Sequence, residues 1–141
     1  MCVDRELLTQ LLKTSGQARL RVAGSSMEPI LRIGDVILIE ASDRRRPKVG
    51  ELVTFLCGNT LCTHRVAKFS GSKLVTRGDG NCHDDAPIEM DKCLGRVVMV
   101  ERSGRALPVA ALHRKPAISE YLRLWRTWIC SGAMWRSNQE A

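Results

Sequence analysis

Apolar and polar residues change rhythm several times along this chain, and each change marks an element. Over residues 4–14, Leu7, Leu8, Leu11 and Leu12 recur at helical spacing. Asp4 stands at the N-cap position and Gly16 just past the end, so the pattern predicts a short amphipathic helix. Ala18-Arg19-Leu20-Arg21-Val22 alternates with a period of two, as a half-buried strand does. Gly24-Ser25-Ser26-Met27-Glu28-Pro29 reads as a turn, because Pro29 disfavours helix at the residue before it. Further strands are predicted at Val36–Ile39 behind Gly34-Asp35, and at Leu52–Phe55 behind the turn Pro47-Lys48-Val49-Gly50. Gly58-Asn59 is a two-residue hairpin turn into Leu61–Val66. Ser70-Gly71 separates that strand from Lys73–Thr76, and Leu94–Glu101 follows a loop from Arg77 to Asp91.

Short strands with turn signals at near-regular spacing predict a mainly β fold, a folded antiparallel sheet or partial barrel, with a short N-terminal helix. The pattern divides the chain into an N-terminal helix (1–17), a core (18–104), and a C-terminal connection and tail (105–141). In the tail, Ile118, Tyr121, Leu122, Trp125, Trp128 and Ile129 recur at helical spacing, with Arg123 and Arg126 off that stripe. A basic amphipathic helix over 117–135 is therefore expected. It would lie on an anionic membrane surface or pack its stripe on the core or a partner.

Composition narrows the class. With 141 residues, 44% hydrophobic and 26% charged, the chain is long enough for one domain with a proper core and is not disordered. A net charge of +7 attracts nucleic acid, anionic lipid or acidic peptides without specifying any of them. The aromatic content is 4% and all three Trp fall in the tail, which argues against a stacking surface for nucleic acid. No stretch reaches the roughly 20 apolar residues of a membrane span, and the first residues lack the basic head and apolar core of a secretory signal. A cytoplasmic protein, with peripheral contact at the inner membrane face as the alternative through 117–135, is the expectation. The six cysteines (Cys2, Cys57, Cys62, Cys82, Cys93 and Cys130) contain no Cys-x-x-Cys pair and are expected as free thiols, mostly in the core. Cys57 and Cys62 would be diagonal neighbours across the hairpin, which argues against a disulfide. A metal site at Cys82, His83 and Cys93 has little to recommend it, and no cofactor is called for.

The candidate chemistry is nucleophilic. Ser26 sits in a tight turn between two strands, where its hydroxyl could be presented on a rigid scaffold. A serine there is usually structural, and it becomes a nucleophile only with a base and oxyanion donors. Of His64, His83 and His113, only His64 lies inside an apolar strand, and burial favours the neutral imidazole that a general base requires. A lone strand histidine is also often a plain core residue. The loop Thr76-Arg77-Gly78-Asp79-Gly80-Asn81-Cys82-His83-Asp84-Asp85 is dense in carboxylates. One of these could orient the imidazole, while Asp79 and Asp84 could equally close turns on backbone N–H groups, as at least one of them is expected to do.

Four blocks in this order resemble the type I signal peptidases and the related self-cleaving repressors. Ser26-Met27-Glu28-Pro29, with Leu31, Gly34 and Asp35 behind it, is similar to that family's Ser-Met-x-Pro followed by Leu and Gly-Asp. Val49-Gly50-Glu51-Leu52-Val53 resembles its Gly-Asp strand, with Glu51 in place of aspartate. His64-Arg65-Val66 matches the branch with a histidine base where most bacterial members carry lysine. Thr76 to Asn81 with Asp84-Asp85, and then Gly95-Arg96-Val97, match the last two blocks. The resemblance spans roughly residues 20–101. It implies Ser26 as nucleophile, His64 as general base and Asp85 as orienting acid, with Asp79 the alternative. The Ser26 N–H would serve the oxyanion, and Met27 would support the turn and line the pocket.

Gly24 departs from the pattern, because that position often holds a hydroxyl that donates to the oxyanion; Ser25 or a backbone amide would have to substitute. With no membrane anchor and no DNA-binding unit expected, the chain resembles the short, anchorless bacterial members. The resemblance implies a serine endopeptidase acting on a peptide or leader sequence bound along a strand edge. The competing readings are a catalytically silent peptide-binding module on the same fold and a basic nucleic-acid binder. Substrate identity and oligomeric state are left open.

Overall fold

Alternation in the sequence becomes burial in the sheet. A computed structural model describes residues 5–109, and their elements run α1 (Arg5–Ser15), β1 (Gln17–Arg21), β2 (Val36–Ala41), β3 (Leu52–Cys57), β4 (Thr60–Ser70), β5 (Lys73–Arg77), β6 (Cys93–Arg102) and β7 (Arg105–Pro108). The seven strands form one antiparallel sheet in the order β1-β2-β6-β3-β4-β5, with β7 also paired to β6. Ala18 and Leu20 of β1 and Ile37, Ile39 and Ala41 of β2 alternate inward. In β6 the inward set changes phase between Val97 and Val100, because the register with β2 shifts after Leu38 and leaves one extra residue on β6.

Two apolar clusters result. The larger joins Leu8 and Leu12 of α1 to Leu20, Met27, Leu31, Ile37, Ile39, Leu52 and Val100. The smaller contains Val53, Phe55, Val66, Leu74 and Cys93. Adjacent residues of β3 thus feed different clusters, which explains why Leu52 through Phe55 are all buried. In α1 only half of the predicted stripe is used. Leu8 and Leu12 are buried, whereas Leu7 and Leu11, each one residue earlier and so about 100° round the helix, stay exposed.

The strands make one antiparallel sheet that is not closed into a barrel. Closure would need β1 to pair with β5, but loops occupy that gap: Gly80 N–H donates to the Ser26 carbonyl at 2.9 Å, tying the turn after β1 to the loop after β5. The sheet also runs past the expected core boundary at residue 104, since β7 pairs with β6 and Val109 joins the larger cluster. The Asp4 cap, Cys2, Cys130, His113 and the amphipathic segment 117–135 lie outside the described residues. No helix among the described residues is long and apolar enough to cross a membrane.

Asp35 explains the Gly-Asp pair. It is 4% exposed, and its carboxylate accepts bonds from Arg102 Nε (2.9 Å) and Nη2 (2.7 Å) and from the Arg32 N–H (2.9 Å). Arg102 also donates to the Ile30 carbonyl at 2.9 Å, so one guanidinium pins the whole segment behind Ser26. The bonds from Arg102 hold the Asp35 carboxyl below its ordinary value of 3.8 against the opposing effect of burial. Burial likewise opposes, but does not cancel, the lowering of Glu51 by Arg45 and the Lys48 N–H. A carboxyl whose folded pKa is depressed stabilises the fold above its unfolded pKa, and that stability is lost as pH falls through the folded value. Thermal stability should therefore fall steeply below about pH 4. In Asp35→Asn it should be lower at pH 7 and flatter in acid; melting curves across pH 2–7 with parallel slopes would refute this.

Candidate active site

His64 is placed by pairing. The two-residue turn Gly58-Asn59 sets the β3–β4 register with Cys57 opposite Thr60, and that register puts His64 opposite Val53. Its ring meets the edge of Phe55 at 5.8 Å and 67°, and the residue is 8% exposed. One ring edge is thus seated in the smaller cluster, and the two nitrogens point at polar partners.

Nδ1 lies 2.6 Å from Asp85 Oδ2 and Nε2 lies 3.0 Å from Ser26 Oγ. A carboxylate can only accept, so Nδ1 carries the hydrogen, and the neutral ring presents the Nε2 lone pair to the serine hydroxyl. Asp85 is itself held. The Thr76 hydroxyl donates to the same Oδ2 at 2.7 Å, and the Asp85 N–H donates to the Thr76 carbonyl at 2.7 Å. Thr76 is fully buried on β5. Thr76 opens the fourth block, but nothing in the pattern marks it as a partner of Asp85, because a threonine in an apolar strand looks like any other β-former. Its signal was the spacing of nine residues to Asp85, which is legible only once the loop is known to fold back.

Ser26 sits in a turn closed by Glu28 N–H to the Ser25 carbonyl (3.0 Å) and Leu31 N–H to the Met27 carbonyl (2.9 Å), with a cis peptide before Pro29. Met27 is buried beneath it, and its sulfur accepts the Asp79 N–H at 3.3 Å. Met27 thus lies under the turn and also lines the groove. Ser25 is exposed, and its hydroxyl bonds to nothing among the described residues. The Ser26 N–H also has no acceptor among them and is free for a ligand.

The loop Gly78–Asp85 packs directly on this turn. A Cβ on Gly78 would lie 2.6 Å from the Ser26 carbonyl oxygen and 2.8 Å from Asn81 Nδ2, closer than real Cβ contacts allow. Gly78→Ala should push the Ser26 turn away from His64; loss of reactivity at Ser26 with a preserved β-sheet spectrum is the expected result, and unaltered reactivity would contradict the packing.

The carboxylates separate by role. Asp79 accepts two bonds from Arg65, Nε at 2.7 Å and Nη2 at 2.6 Å, and Arg65 also donates to the Gly50 carbonyl at 2.7 Å. Asp79 thus anchors the loop to β4 and leaves the imidazole to Asp85. Asp84 pairs with Lys68 (3.0 Å) and Arg77 (3.6 Å). The expectation that Asp79 or Asp84 closes a turn on backbone N–H groups is therefore replaced by ion pairs, because basic side chains on β4 and β5 reach them first. His83 is exposed in the loop.

A groove of about 360 Å³ opens on Ser26 and His64, walled by Leu20, Val22, Leu31, Leu61 and Cys62. A larger hollow of about 600 Å³ around Arg46, Gly71 and Met90 contains none of the candidate residues. The first half of β4, Thr60–His64, pairs with β3 on one side, while β5 pairs only with Arg65–Ser70, so its other edge is unpaired among the described residues.

Cys57, Cys62, Cys82 and Cys93 are free. Among these four, Cys93 is buried in the core, its thiol pushed up to about 11 by burial, and Cys62 packs partly buried against the smaller cluster, whereas Cys57 and Cys82 are exposed, against the expectation of mostly core thiols. These last two lie on a hairpin tip and a polar loop, where the surface begins. No cluster of three or more His, Cys, Asp or Glu suited to a metal occurs among the described residues. No protein-family model matches the chain, and no curated protein matches it significantly.

Proposed function

We propose that this protein is a serine endopeptidase with the fold and catalytic core of the signal peptidases and self-cleaving repressors. The observation that carries the reading is the continuous relay Asp85–His64–Ser26, with contacts of 2.6 and 3.0 Å at the mouth of a groove. An isolated core histidine would not need an aspartate behind it and an alcohol before it.

A peptide would add to the unpaired edge of β4 at Thr60–His64 and bring its carbonyl carbon to Ser26 Oγ. Oγ forms the bond to that carbon as its proton passes to His64 Nε2, and Asp85 stabilises the imidazolium. The Ser26 N–H donates to the oxyanion. His64 then returns the proton to the leaving amine as the C–N bond breaks. Water, activated by the same imidazole, hydrolyses the acyl ester and restores the hydroxyl. Ala23 and Gly24 leave room for small side chains near the cut.

A serine-reactive acylating probe tests the reading. Labelling between about pH 6 and 9, mapped to Ser26 and lost in His64→Ala, is expected. No labelling over that range would instead favour a silent peptide-binding module.

Gly24 offers a gain-of-function test. An added Cβ there meets nothing within 4 Å, so Gly24→Ser introduces a hydroxyl without a clash. One oxyanion donor is worth about 10²–10³ in kcat where it has been removed. Gly24→Ser should raise the acylation rate by up to about 10²-fold; an unchanged rate would mean that a backbone amide already fills that role.

A further inference from the structure

We propose that the groove selects peptides carrying acidic side chains beside the cut, recognised by Arg5 and Arg21; this rests on the peptide-binding reading above. Both arginines line the groove, and no Asp or Glu lines it. Arg5 stands one and two turns before Leu8 and Leu12 on α1, on the helix face that turns toward the sheet. Arg21 ends β1, and its Nη1 donates to the Gly34 carbonyl at 3.2 Å, which leaves most of its donors unused.

Both arginines that line the groove are without a carboxylate partner among the described residues. Arg19, Arg45, Arg65, Arg77, Arg96 and Arg102 each pair with a carboxylate. Arg32, Arg44, Arg46 and Arg105 also lack one but line no part of this groove. The acidic residues beside the catalytic candidates do not line the groove. Asp85 lies behind the imidazole and is occupied by His64 and Thr76, and the exposed Glu28 is not in the lining. Two guanidinium groups in an otherwise largely apolar concavity focus positive potential where an extended peptide would lie. The preferred ligand has a small residue at the centre and glutamate or aspartate within reach of β1 and α1.

The test measures binding to the full-length Ser26→Ala protein, which separates recognition from chemistry. Labelled peptides with one shared small-residue centre carry glutamate, glutamine or lysine on either side of it. The glutamate peptide should bind roughly 10-fold more tightly than the lysine peptide at low salt, and the gap should shrink in high salt. Arg5→Glu with Arg21→Glu should invert the order. Arg46→Glu with Arg105→Glu, an equal change in net charge outside the groove, should preserve it. Equal binding of all peptides, no binding of any, or loss of preference in both double variants alike would overturn the inference. Glutamate preference without probe labelling of Ser26 would retain the inference and end the peptidase reading; labelling with equal binding would do the reverse.

Discussion

Ser26→Ala and His64→Ala should each lower kcat by about 10⁶-fold, and the double variant should be no worse than either single one. In the proposed mechanism the two groups act as a unit. Without the imidazole, the Ser26 hydroxyl has no acceptor for its proton, because Nε2 is the atom within hydrogen-bond reach at 3.0 Å. Without the hydroxyl, the imidazole can activate only water, which is not held in line with the scissile carbonyl. Turnover of a cleavable peptide, measured with all three purified variants, checks this. Losses that multiply in the double variant would show two independent contributions and break the relay model. Neither substitution should unfold the chain, since Ser26 is half-exposed and the His64 ring leaves Phe55 and Val53 in place.

Asp85→Asn and Asp79→Asn should divide what the sequence could not. An asparagine at 85 can donate to Nδ1, which moves the ring hydrogen to Nε2 and turns the lone pair away from Ser26. A tautomer error of this kind costs about 10⁴ in kcat. At 79 the change weakens the paired hydrogen bonds from Arg65, a charge-assisted contact between groups 24% and 17% exposed, worth about 1.5–3 kcal/mol. Asp79→Asn should thus melt earlier yet retain most of its kcat well below its melting temperature. Steady-state kinetics beside melting curves for the two variants decides the matter. Equal kinetic losses would mean that Asp79 also steers the imidazole.

Most of the sheet was legible because its signals are local. Alternation in residues 17–21 and 36–41, and the Gly58-Asn59 turn, each fix an element from a few neighbours. What escaped is set at a distance. β7 is four residues of weak pattern, one of them a proline, and it exists because the long β6 leaves Met99–Arg102 an edge to pair. The two buried leucines of α1 could not be told from the two exposed ones until the sheet chose a face. The same holds at the site. The residues left the acidic partner of His64 open, and the resemblance put Asp85 ahead of Asp79; what separates the two carboxylates in the structure is Arg65 bonded to Asp79 and Thr76 bonded to Asp85. Those two contacts are tertiary, and no periodicity encodes them.

The crossover that carries Gly78, Gly80 and Asp85 touches both halves of the relay: it braces the carbonyl of Ser26 and it backs His64. In the proposed mechanism, displacing this one loop would unseat the Ser26 turn and release the His64 ring together, so both parts of the chemistry hang on a single segment.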